Sequence, residues 1–115
     1  MSNPARAKGT RFENEILLHL QQIWPGADRA KSGNFSNDYN GVPIPIEAKF
    51  RKRWDILEWV GKLKTAAGGH KWALMLASGD RRISGKNATL MIVDVNFGME
   101  LLGCWERSQN GLSAD

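Results

Sequence analysis

The residues of this chain whose types and spacing could do chemistry are acidic, with one lysine among them. Glu47-Ala48-Lys49 sets a carboxylate and an ammonium two residues apart, and residues two apart on a β-strand share a face. Asp38 comes just before the turn residues Asn40 and Gly41. Glu13 lies far upstream beside Ile16, Leu17 and Leu20, whereas Glu15 falls on the polar side with Leu18, His19 and Gln22. Brought together, Glu13, Asp38, Glu47 and Lys49 would form a hard, oxygen-rich site suited to Mg²⁺, with Mn²⁺ able to substitute. Such a site polarises a phosphodiester, lowers the pKa of a bound water and stabilises a leaving oxygen. Each residue also has a plainer reading. A Glu-x-Lys on a strand makes a solvent-facing ion pair, an Asp ahead of Asn-Gly shapes a turn, and a Glu in a helix's first turns favours the dipole.

Other chemistries find less support. His19 and His70 are isolated and read as structural, and no Ser-His-Asp or Cys-His arrangement is suggested by spacing. Gly79–Asn87 has the outline of a phosphate loop, but five residues separate its glycines and Asn87 stands where a Mg²⁺-binding hydroxyl belongs, so it reads as a basic hairpin loop.

The elements that must position the acidic set follow from periodicity. Phe12, Ile16, Leu17, Leu20 and Ile23 recur at helical spacing, predicting a helix from Thr10 to about Trp24 that Pro25-Gly26 ends. Arg29–Asn37 reads as a loop entering a short strand near Asp38. The run Ile44–Phe50 alternates, with Ile44, Ile46, Ala48 and Phe50 on one face and Glu47, Lys49 and Arg51 on the other. A two-residue turn at Asn40-Gly41 would leave Asp38 about 13 Å from Glu47 along the strand. A reversal nearer Val42-Pro43 puts Asp38 opposite Glu47, and Pro43 and Pro45 favour it by opposing a ladder before Ile46. A second helix is expected from the N-cap Asp55 to Ala67, stopped by Gly68-Gly69. Strands follow at Trp72–Ala77 and Leu90–Val95, separated by the basic loop Ser78–Ala88, and a polar tail begins at Arg107. The order helix, strand hairpin, helix, strand, strand predicts an α/β layer fold with a mixed sheet.

At 115 residues and 42% hydrophobic content one domain with its own core is expected, with flexible ends at 1–7 and 107–115. No apolar run approaches the ~18–20 residues of a membrane span, and the amino terminus has cations without an apolar region behind them. A single cysteine, Cys104, fits a reducing cytoplasm. Sixteen Lys and Arg against twelve Asp and Glu give +4 and a pI near 9.5. The excess is clustered at Lys8 and Arg11, Arg29 and Lys31, Arg51, Lys52 and Arg53, and Arg81 and Arg82, which together would attract a polyanion such as DNA.

The ordered motifs resemble the PD-(D/E)XK nuclease superfamily, and within it the small archaeal- and phage-type Holliday junction resolvases. Lys8-Gly9-Thr10-Arg11-Phe12-Glu13 looks like that group's opening Lys-Gly-x-x-x-Glu, and Arg29-Ala30-Lys31-Ser32-Gly33 is similar to its Ser-Gly loop. Asp38 and Ile46-Glu47-Ala48-Lys49 then complete a resemblance covering about residues 8–95, with Asn37 where the superfamily often has proline. The resemblance implies a single-domain, restriction-endonuclease-like core with a mixed central sheet flanked by helices. It implies metal ligation by Glu13, Asp38 and Glu47, water activation by Lys49, and Ser32 near the scissile phosphate. Cleavage of a four-way junction would further imply a homodimer with two sites, for which Trp54, Trp59 and Trp105 are candidate anchors, with ordinary core packing as their other reading. Two other readings stay open. One is a nicking or repair nuclease of the same fold, and the other is a non-enzymatic basic DNA-binding protein.

Overall fold

A computed structural model describes residues 4–30, 38–78 and 89–111. Helix α1 (Pro4–Gln21) is followed by the two-residue strands β1 (Asp28–Arg29) and β2 (Tyr39–Asn40), then β3 (Ile46–Phe50) and α2 (Ile56–Ala67). Strands β4 (Ala73–Ala77) and β5 (Leu90–Ile92) and helix α3 (Val95–Gln109) complete the chain. β3 and β4 are parallel and β4 and β5 antiparallel, giving a mixed three-stranded sheet, while β1 and β2 form a separate antiparallel pair. Parallel neighbours need a crossover, and α2 supplies it.

Two apolar layers hold the helices to the sheet. On one face Phe12, Ile16 and Leu20 of α1 bury against Ile46, Ala48, Ala73 and Ala77. On the other, Leu63 and Ala67 of α2 pack with Leu74 and Leu76. β4 therefore faces apolar side chains on both sides, which is why its sequence is apolar without alternation. β3 is apolar only towards α1, so Glu47 and Lys49 point to the α2 side. Trp54 and Trp59, open in sequence to being interface anchors or ordinary core, pack around this second layer.

The sequence-predicted helices and strands are present with shifted ends. α1 begins six residues before Thr10, because its first turns carry helix-forming Ala, Arg and Lys residues without the apolar stripe that begins at Phe12. It stops at Gln21, where the amides of Ile23 and Trp24 both turn back to Leu20 O. Asp55 caps α2 by accepting from Glu58 N, and Gly68 ends it at φ 57°, in the left-handed region. Gly41, at φ 75°, is required for a second reason: a Cβ there would lie 2.6 Å from Gly26 O. The expected strand Leu90–Val95 is shorter. Asp94 accepts a 2.8 Å bond from Phe97 N and starts α3, which runs through Arg107 past the point where a polar tail was expected.

Candidate active site

Asp38 is fixed from three sides. Its N–H donates to Ile46 O at 2.8 Å, its carbonyl accepts from Ala30 N at 2.8 Å, and its Oδ2 accepts from Ala48 N at 2.7 Å. The chain therefore reverses across 41–45, as the two prolines favour, and lays Asp38 along β3 beside Glu47. A carboxylate fills the ladder position of Ala48, so the side chain is held at the sheet edge rather than left to rotate. Burial raises the Asp38 pKa from 3.8 to about 6; the Ala48 amide opposes this, while Glu47 and Glu13 raise it further and Lys49 lowers it.

Glu47 and Lys49 share the α2-facing side of β3 and pair at 3.1 Å. Lys49 Nζ also lies 5.7 Å from the ring centre of Trp59, which seats the ammonium against α2. A cavity of about 230 Å³ opens beside them, lined by Glu47, Lys49, Glu58, Trp59 and Lys62. Glu47 Oε1 takes the lysine, whereas its Oε2 is buried with no hydrogen-bond partner among the described residues. A buried carboxylate oxygen without a partner is costly, and a cation or a polarised water satisfies it.

Glu13 is placed differently from expectation. It sits on α1, on the other face of the sheet, where Arg29 holds its carboxylate at 2.7 Å and Tyr39 Oη donates to its backbone carbonyl at 2.8 Å. Its field still reaches Asp38. Among the described residues no three His, Cys, Asp or Glu side chains form a group placed to hold a metal ion. The structure thus brings together Asp38, Glu47 and Lys49, and gives Glu13 to Arg29. Two carboxylates are a sufficient protein contribution for Mg²⁺, which keeps several waters and takes further oxygens from a phosphate.

The cationic residues fall into distinct settings. Lys8 and Arg11 are exposed on α1 and line a groove of about 260 Å³ with Phe12, Glu15 and Phe50. Arg51, Lys52 and Arg53 are exposed just after β3. The strand ends at Phe50, so the face expected to carry Arg51 with Glu47 and Lys49 stops one residue short of it. Arg29, expected as a surface DNA contact, is half-buried and committed to Glu13. Lys31, Ser32, Arg81 and Arg82 lie outside the described residues.

For two residues of this site the partner was not legible in the sequence. Trp59 reads in sequence as one apolar position of an amphipathic helix, and only the crossover over β3 shows that its ring carries Lys49. Arg29 reads as a member of a basic cluster, and only the packing of β1 against α1 pairs it with Glu13. Compared with protein-family models, curated proteins and solved structures, the chain matches none.

Proposed function

We propose that this protein is a Mg²⁺-dependent endodeoxyribonuclease with a restriction-endonuclease-like core, acting on branched DNA as a homodimeric resolvase of four-way junctions in a reducing cytoplasm. The observation that carries the reading is Glu47: one oxygen is paired with Lys49 and the other is buried without a partner among the described residues, beside a carboxylate at Asp38 that burial disfavours as an anion. Asp38 and Glu47 would hold the metal, and Mg²⁺ there would supply a more acidic bound water and a polarised phosphate. The chain's own groups do the rest. The Ala48 amide fixes the Asp38 carboxylate and Trp59 and Glu47 fix the Lys49 ammonium; that ammonium would orient a water and offset charge growing on a phosphate oxygen. Lys8, Arg11, Arg51, Lys52 and Arg53 provide exposed cations for the DNA backbone, with Lys31, Arg81 and Arg82 adding to the same charge.

The rival reading, a basic DNA-binding module without catalysis, draws on the two ion pairs Glu13–Arg29 and Glu47–Lys49, which balance charge without any metal. A gel comparing a four-way junction with linear duplex, each with Mg²⁺ and with EDTA, separates the readings. Cleavage of the junction only with Mg²⁺ supports the resolvase. Equal cleavage of both substrates supports a general nuclease of this fold, and binding without cleavage supports the module.

A further inference from the structure

Helix α3 is fifteen residues long and none of them is buried. A helix of this length is marginal in water on its own, and most helical stability comes from packing an apolar face. The face exists: Val95 is 74% exposed, Met99 61%, Leu102 60% and Trp105 59%. At 100° per residue these four lie within about 60° of Leu102, forming one stripe along the helix. On the opposite side of the helix Lys71 stands 5.9 Å from the Phe97 ring and pairs with Glu100 at 3.5 Å.

We infer that this stripe is the interface between two copies of the chain, formed by antiparallel packing of α3 on the partner's α3 about a two-fold axis at Leu102. The stripe is self-complementary about that point. Met99 lies three residues before Leu102 and Trp105 three after, so the axis sets Leu102 on Leu102 of the partner subunit and Met99 on Trp105 of the partner subunit. A thioether against an indole is a favourable contact. The area fits as well. With fully exposed large side chains offering on the order of 150–250 Å² each, the four residues of the stripe present roughly 500 Å². That is close to the apolar share, about 60%, of the ~800 Å² that each partner gives to a stable interface. Glu106 lies about 40° round the helix from Leu102, where its Oε1 accepts from the Asn110 amide at 2.8 Å. An isologous contact of this kind closes at two copies.

This surface gives the homodimer of the proposed function its contact, and it is argued from α3 alone. It can therefore be tested without DNA or metal, apart from any cleavage assay. Sedimentation equilibrium from 1 to 100 μM should show a mass of about 26 kDa, twice the 12.8 kDa chain. Leu102→Glu should raise the dissociation constant by roughly 100-fold or more, and Trp105→Ala by roughly 30-fold. The circular dichroism of each variant should show the rest of the domain folded, losing at most the part of the helical signal that α3 contributes, because both positions are exposed in the single chain. With Cys104→Ser as background, Leu102→Cys should cross-link under mild oxidation, since the axis brings its two copies within the ~4.4–6.8 Å a disulfide spans. Val95→Cys should not, because antiparallel packing holds its copies about 21 Å apart along the axis. A monomer at 100 μM, or a dimer that Leu102→Glu leaves intact, overturns the interface. Cross-linking through Val95→Cys overturns its antiparallel form.

Discussion

Asp38 concentrates the cost of this site in one side chain. Its carboxyl titrates near 6 instead of 3.8 because burial disfavours the anion, so between those values the folded protein holds a proton that the unfolded chain releases. The stability Asp38 contributes is therefore full below about pH 4 and is lost as the pH rises through about 6. Asp38→Asn keeps an oxygen for the Ala48 amide and removes the charge. Thermal melts in EDTA should show the variant roughly 3–6 °C more stable than wild type at pH 8, with the difference closing towards pH 4. Mg²⁺ should raise the wild-type melting temperature at pH 8, less so at pH 5, and should leave Asp38→Asn unmoved. A variant that melts below wild type at pH 8 would show that the buried anion is not the destabilising group. The period-two pattern of Ile44–Phe50 made Glu47 and Lys49 legible as a pair, and the two prolines located Asp38. The capture of Glu13 by Arg29 was not legible, because it depends on the packing of β1 against α1, and that is a tertiary fact.

Among the elements, α2 and α3 differ in what makes a helix readable. α2 shows an N-cap, an apolar stripe and a glycine stop, and the structure uses all three. α3 has the same kind of cap at Asp94, but its apolar residues begin directly after a strand, so Leu90–Val95 reads as one apolar run. The transition is set by the Asp94 side chain and not by a change in hydrophobicity. Asp94→Ala should accordingly lower stability by about 1 kcal/mol and fray the first turn of α3. Chemical denaturation gives the first quantity, and amide exchange at Phe97, whose N–H donates to Asp94, gives the second. Unchanged protection at Phe97 would mean that packing and not the cap holds the helix start.

For the whole molecule, the net charge of +4 is less informative than where the cations stand. Arg51 is exposed beyond the site, so Arg51→Ala should weaken binding to every DNA sequence and lower the salt slope by about one. Arg29→Ala should behave differently: it strips Glu13 of its partner and should reduce stability while leaving the salt slope nearly unchanged. A full unit lost from the slope would return Arg29 to the DNA surface. Asp38, Glu47 and Lys49 are proposed to form a metal-dependent cleaving site and not a balanced surface ion pair. Glu47→Ala tests it most directly, with cleavage and binding of a four-way junction measured on the same preparation in Mg²⁺. Removing a metal ligand and a negative charge together should abolish cleavage while binding is retained or strengthened. Cleavage at the wild-type rate by Glu47→Ala would contradict the account.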